Sequence, residues 1–423
     1  MPIRLPREDY TVGWICALPI ELAAAQKMLD EEHDHLEHNL NDNDENLYVL
    51  GSIGEHNVAI VCLPGRIGNN PATAVAMQMR ATFKRLRFGL MVGIGGGVPT
   101  ASDIRLGDVV VSKPDKTFAG VVQYDFGKDT PSGFERTGSL NAPPSTLLHA
   151  MARVQANDLI GRSKVSEYIA KLGGDFQRSM AGPDVLFEAV YDHEGGKTCD
   201  TCNPDRKKAR QPRDLGKDVV VHYGTIASGN KVIKDAFERD KLDAELGGVL
   251  CFEMEAAGLM NSFPCLVVRG ICDYADSHKN KKWQPYAAGA AAAYAKEVLL
   301  VIPPAQVAKT RTAEDAMQSG PPVQNTSRPV RLPSPVVSPA YGLQASGHST
   351  TSSSSMSTSQ KRKGGKKNSK VASEWSPAED KKLLSVVQTT NPCKWEREAE
   401  SIDNRSAWAC QKRYEKVVGN IHT

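Results

Sequence analysis

Short β-branched runs bounded by glycine, proline or aspartate recur along the first part of the chain, at 11–17, 57–63, 88–94, 108–112, 219–226 and 265–271. Continuous apolar runs of this length predict strands covered on both faces. Between them lie longer stretches with helical spacing of apolar positions, at 21–29, 70–84, 144–155, 230–241, 253–261 and 285–301. Strands alternating with helices in this order predict a three-layer α/β/α domain with a mixed, mostly parallel sheet over residues 1–303. The pattern then fails. Residues 304–371 are rich in Pro, Ser, Thr and Lys, carry few groups able to build a core, and are expected to be a disordered linker. Residues 372–423 regain Trp, Leu and Val and are expected to form a small helical domain.

Composition narrows the class. With 40% hydrophobic and 24% charged residues in a 423-residue chain, membrane-embedded, collagen-like and wholly disordered proteins are excluded. Lys and Arg total 52 against 49 Asp and Glu, a net charge of +3, so any site for a polyanion must be local. The nine cysteines are odd in number and thinly spread, as expected of reduced intracellular thiols. The only early apolar run, 12–18, is too short for a signal peptide, and Lys296 and Glu297 interrupt the alanine-rich stretch near 290, so no membrane span is expected.

Three motifs carry candidate chemistry. Gly93-Ile94-Gly95-Gly96-Gly97 follows an apolar strand, where a bare backbone allows close approach. A dinucleotide site is not indicated, because Pro99 stops the chain where that fingerprint needs a helix. Glu253-Met254-Glu255-Ala256-Ala257 opens a helix after a short strand, and a cap of acidic side chains is its simplest structural explanation. Arg269-Gly270-Ile271-Cys272-Asp273-Tyr274-Ala275 ends a buried strand on an aspartate, at the sheet edge where α/β proteins gather ligands.

Taken together and in this order, these motifs resemble the nucleoside phosphorylase/nucleosidase superfamily. The stretches 10–21, 103–112 and 222–230 resemble its fungal purine nucleosidase branch, found beside signalling and immune-type domains. The resemblance implies hydrolysis of the N-glycosidic bond of adenosine or ATP, releasing adenine and the ribosyl product, without a metal or other cofactor. That reaction passes through an oxocarbenium-like sugar, so the site must protonate the leaving base, hold the ribose and present a nucleophile. By resemblance, Asp273 is the general acid, Glu255 accepts hydrogen bonds from the ribose hydroxyls with Met254 on the sugar face, and Glu21 activates water. Gly95, Gly96, Ser228, Val232 and Ile233 are expected around the base. Cys272 stands where the family usually has Ser, and Val232 where an aromatic stacker is common.

A phosphate-dependent phosphorylase is the alternative, with Arg66 and Arg105 as candidate anion ligands. A non-catalytic nucleotide sensor or chromatin adaptor is the alternative of another class. The segment 193–217 is expected to be a surface insertion whose Arg206, Arg210 and Arg213 reach the 5′ end of a nucleotide. Its single pair, Cys199 and Cys202, falls short of a four-ligand zinc site, and no metal is assigned. The acidic stretch 30–46 with His33, His35 and His38 is expected to be a solvated loop.

In the last segment, Trp375, Trp395 and Tyr414 are separated by nineteen and eighteen residues. With a Ser376-Pro377 helix start they resemble a Myb/SANT-like three-helix domain. Eight basic residues balance eight acidic ones there, which leaves DNA and a chromatin protein as equal candidate partners. The Lys361–Lys370 cluster favours nucleic acid and a nuclear location; otherwise the cytoplasm is expected. The family commonly forms homo-oligomers.

Overall fold

The computed structural model describes residues 3–36, 43–100, 102–131, 133–213 and 218–318. His38, the chain beyond 318 with its basic cluster, and the Myb-like segment lie outside the described residues. In chain order the elements are β1 (Val12–Cys16), α1 (Pro19–Met28), β2 (Glu31–Glu32), β3 (Tyr48–Ile53), β4 (His56–Cys62), α2 (Asn69–Thr82), β5 (Phe88–Gly97) and β6 (Val109–Ser112). Next come β7 (Val121–Gln123), a separate hairpin of β8 (Gly127–Thr130) and β9 (Gly133–Arg136), and the helices α3 (Ser145–Leu159), α4 (Val165–Leu172) and α5 (Arg178–Ala181). After an insertion follow β10 (Val221–Gly224), β11 (Ile226–Ser228), α6 (Ala236–Glu245), β12 (Cys251–Glu253), α7 (Ala256–Met260), β13 (Cys265–Asp273), α8 (Gln284–Leu300), α9 (Pro304–Lys309) and α10 (Ala313–Gln318).

The main sheet runs β10-β6-β13-β5-β1-β4-β3-β2, with β7, β11 and β12 as a side branch joined through β5. Its centre is parallel: β13, β5, β1 and β4 all point the same way, and β6 and β3 are antiparallel to their inner neighbours. Nearly every residue of β1, β5 and β13 is buried, as a parallel sheet covered on both faces requires. Helices α1, α3 and α4 pack on α8, which lies on β13 and β5, whereas α2 packs with α7. Alternate side chains of β13 point to opposite layers: Gly270 faces α8, where a Cβ would sit 1.9 Å from the Ala287 carbonyl oxygen. The alanines of α8 are buried all round the helix, which lets it lie against the sheet at backbone distance.

Several predicted bounds shift for physical reasons. The 219–226 run breaks at Thr225, so that β10 pairs with β6 while β11 pairs with β7 and β12. The helix expected from residue 230 starts at Ala236, where the Asp235 carboxylate caps the N–H groups of Phe237 and Glu238. The fold also passes residue 303, the predicted end of the domain. Val307 and Ala313 are buried, Ala313 N–H donates to the Leu86 carbonyl at 2.6 Å, and Arg87 donates to the Thr310 carbonyl, also at 2.6 Å. Too few apolar positions mark these two short helices for a periodic signal to reveal them. His33 is not solvated but buried, its Nδ1 2.9 Å from the Tyr10 hydroxyl. No described helix is long and apolar enough to cross a membrane.

Candidate active site

The ends of β1, β5, β12 and β13 open on one cleft of about 200 Å³. Glu21, Glu255 and Asp273, far apart in the chain, all line it. Glu21 sits in the first turn of α1, directly after β1, and is buried. Its Oε2 accepts from the N–H groups of Ala17 (2.7 Å) and Leu18 (2.9 Å), and its Oε1 from Ile94 N–H (2.8 Å). The side chain thus fastens the end of β1 to β5. Burial pushes its carboxyl above the usual range, against the pull of Arg269 and the three N–H donors.

Arg269 organises the rest. It is fully buried in β13, and its Nη2 donates to Glu253 and, at 3.3 Å, to Glu255 Oε2. The neighbouring strand must lack a side chain there, because a Cβ on Gly93 would lie 2.3 Å from Arg269 Nη1 and 2.5 Å from Glu21 Oε1. Glu253 also accepts from the N–H groups of Glu255 (3.1 Å) and Ala256 (3.0 Å), so it is the acidic cap of α7. That leaves Glu255 facing the cleft. Burial pushes its carboxyl up to about 7; Arg269 opposes the shift, and Glu253 and Glu21 add to it.

Asp273, at the tip of β13, is 7% exposed and held on both oxygens. Ala275 N–H donates to Oδ1 at 2.9 Å, Lys279 Nζ lies 3.1 Å from the same atom, and the Cys272 thiol donates to Oδ2 at 3.1 Å. The thiol therefore occupies the hydrogen-bonding position that a serine hydroxyl would take, and burial pushes its titration well above the usual range, leaving it inert. Burial works against the Lys279 charge, but Asp273 outweighs it and holds the ammonium above its ordinary value.

Around these groups, Met254, Gly95, Gly96, Val232 and Ile233 line the cleft. The glycines continue β5 rather than forming a loop, and a Cβ on Gly96 would meet Asp273 Oδ1 at 2.7 Å. Close packing of the protein against itself is therefore one reason for glycine there. Val232 is half exposed, and Phe252 is the aromatic ring in the cleft wall, held edge-on to Tyr124 at 5.6 Å. Ser228 does not line the cleft. It is fully buried, accepting from Ala257 N–H at 2.9 Å and lying 3.4 Å from Asn69 Oδ1, and it ties α7 to α2.

The five candidate anion ligands lie away from the cleft lining. Arg66 is exposed in the loop before α2, beside the lining residue Ile67. Arg105 binds Asp103 (2.6 Å) and Arg206 binds Glu188 (3.0 Å). Arg210 bridges Asp184 (2.5 Å) and the Tyr274 hydroxyl (2.7 Å), and Arg213 pairs with fully buried Asp108, which also accepts from His222 at 3.0 Å. Each of the insertion's arginines is engaged by a carboxylate of the protein, and for Arg213 that partner is the fully buried Asp108, whose charge needs compensation. The sequence reading gave no role to Arg269, Phe252, Lys231 or Lys279, all at or beside the cleft, while the acidic cap expected of the Glu253 motif is supplied by Glu253. A detectable signal existed for Arg269, a cation set among Val267, Val268 and Ile271 in a strand buried on both faces, which demands buried anions.

An α/β domain that gathers acids at its strand ends is a class shared by many enzymes of small ligands. The chain belongs to the phosphorylase superfamily, whose model matches residues 11–300, and residues 375–422 match the Myb-like DNA-binding domain model. It is 51% identical over 305 residues to a nucleotide-binding leucine-rich repeat (NLR)-like protein of Hyaloscypha variabilis, covering 71% of this chain and 30% of that one. It is 26% identical to the ATP nucleosidase Cap17 of Escherichia coli over 66% of this chain and 48% of that one. A 5′-methylthioadenosine/S-adenosylhomocysteine nucleosidase of Mycobacterium tuberculosis is 26% identical over 69% of this chain and 97% of its own. The chain thus spans half or less of the length of the first two relatives. Futalosine hydrolase of Helicobacter pylori superposes with a TM-score of 0.45 and 18% identity, over 69% of this chain and 97% of its own.

Proposed function

We propose that the described domain is a purine nucleosidase that hydrolyses the N-glycosidic bond of adenosine or of its 5′-phosphorylated forms. The observation that carries this reading is the convergence of Glu21, Glu255 and Asp273 on one cleft, with a buried arginine behind two of them. Asp273, paired with Lys279 in the free site, takes up a proton from solvent before the step and passes it to the purine as it leaves, while Glu255 accepts hydrogen bonds from the ribose hydroxyls and stabilises the cationic sugar. Glu21, fixed by three N–H donors, orients and deprotonates the attacking water. Met254 packs on the sugar, and Phe252 offers its ring to the base.

Water is favoured over phosphate as the attacker on electrostatic grounds. Glu21, Glu253, Glu255 and Asp273 line the cleft against Lys231 and Lys279, and none of the candidate arginines lines it. An incoming dianion would meet carboxylates at short range. ATP as substrate is supported by two relatives named as ATP nucleosidases, Cap17 and a death domain-containing ATP nucleosidase of Amphimedon queenslandica. With Arg206, Arg210 and Arg213 engaged elsewhere, exposed Lys231 in the cleft lining, and exposed Arg66 next to Ile67 in the chain, are cations among the described residues that a 5′-phosphate chain could meet.

Chromatography of the products from adenosine, inosine, methylthioadenosine and ATP, with and without phosphate, tests the reading. Free base released at equal rates in both buffers is expected. Absolute dependence on phosphate would make the protein a phosphorylase, and ligand binding without turnover would make it a sensor. For the C-terminal segment we propose DNA as the partner, with a nuclear location. A gel shift that weakens with salt and disappears when residues 361–423 are removed is expected, and an unchanged shift would contradict it.

A further inference from the structure

The insertion between α5 and β10 brings together soft ligands that the glycosidic chemistry does not use. Cys199 and Cys202 flank one turn of 3₁₀ helix, closed by Cys202 N–H donating to the Cys199 carbonyl at 3.3 Å. His193, earlier in the same segment, places Nδ1 3.1 Å from Cys202 Sγ, while its Nε2 lies 3.4 Å from the Gly196 carbonyl. His278 arrives from a different part of the chain, the loop after β13. Its ring stacks on Phe187 at 4.1 Å and is 8% exposed, with Nδ1 4.0 Å from Asp276 Oδ1. Its Nε2 is buried and has no hydrogen-bond partner among the described residues. One ligand atom from each of His193, Cys202 and His278 lies within 4.8 Å of the others.

A buried imidazole nitrogen with no partner is rare in a folded protein, and this one points to a missing occupant. His193 holds its other nitrogen toward the Gly196 carbonyl oxygen, the outer-shell arrangement typical of metal-bound imidazole. Tetrahedral zinc with sulfur and nitrogen ligands needs roughly 3.3–3.8 Å between neighbouring ligand atoms, about 1 Å closer than the widest separation here. The Cys199 thiol lies outside this three-residue group but beside Cys202 and 3.6 Å from the His278 carbonyl, so a turn of its side chain away from that oxygen is what a fourth position would require. The sequence alone showed half a site, because its histidines are 85 positions apart in the chain, 193 and 278.

We infer that His193, Cys199, Cys202 and His278 bind one structural zinc ion, through two imidazoles and two thiolates. Both thiol protons leave to solvent as the ion binds. The ion fastens the insertion to the loop after β13, which carries Lys279 and begins beside Asp273. It takes no part in the glycosidic step, and the inference stands whether or not that reading does.

Metal analysis of the full chain after exhaustive desalting tests it. One zinc per chain is expected, falling to the buffer blank in Cys202→Ser and in His278→Asn and unchanged in Arg206→Gln. Should the variants fail to fold, cobalt(II) exchanged into the native chain serves instead, with thiolate charge-transfer bands and intense tetrahedral d–d bands expected. Native protein without zinc and without that cobalt spectrum overturns the inference. So does zinc that persists at full stoichiometry in Cys202→Ser, or a Cys199–Cys202 disulfide found in the native chain.

Discussion

Arg269 shows how one residue sets the state of its neighbours. Its guanidinium is the cation nearest Glu253 and Glu255, so Arg269→Met leaves those acids buried and unpaired; a loss of about 3–5 kcal/mol in urea unfolding is expected. Stability unchanged within error would show that the pair is dispensable. Glu255 gives a pH dependence of definite sign. Its carboxyl titrates at about 7 in the folded chain against 4.5 as a reference, so between those values the folded chain holds a proton that the unfolded chain has lost. Stability therefore falls as pH rises through that window and is level above it. Urea midpoints measured at about pH 5 and about pH 8 should differ less in Glu255→Gln than in the native protein. The carboxylate that receives the ribose is the deprotonated form, so kcat/KM should rise through a limb near 7 that the variant lacks. At this scale, Glu255 and Asp273 were legible because they sit in local motifs at strand ends, and Glu21 only through the family resemblance. Arg269's ion pair, Lys279 beside Asp273 and His278 beside the cysteines were not, since each depends on two segments meeting only in the folded chain.

Among elements, β5, β13 and α8 decide the geometry. Gly270 has no room for a methyl group, its Cβ position being 1.9 Å from the Ala287 carbonyl, so Gly270→Ala must push α8 off the sheet. A loss of about 1–3 kcal/mol is expected by thermal or urea unfolding, as overpacking in a filled core usually costs. An unchanged midpoint would mean that the helix has slack. The central strands were readable from their unbroken apolar runs, and α2, α3 and α8 from their spacing. Of the side branch, β12 was expected as the short strand before the Glu253 motif and the start of β11 was merged into the 219–226 run, whereas β7 was missed, because a strand of three residues carries too little pattern to distinguish it from a loop. The glycine run lies within the strand rather than after it, and close strand and side-chain packing is one reason for its composition.

At the scale of the whole molecule, the fold of the described domain runs at least to α10. A chain cut after residue 318 should keep the native melting temperature of this domain, whereas one cut after 303 loses buried Val307 and Ala313 and should melt lower. Equal melting of the two would return the boundary to 303. The account rests on three carboxylates dividing one reaction between them, and adenine release from saturating adenosine in phosphate-free buffer measures that division most directly. Native protein is expected to turn over, while Asp273→Asn and Glu21→Gln, folded by circular dichroism, should each lose about 10²–10⁴-fold in kcat. Turnover at the native rate in either variant, or none in native protein until phosphate is added, would contradict it.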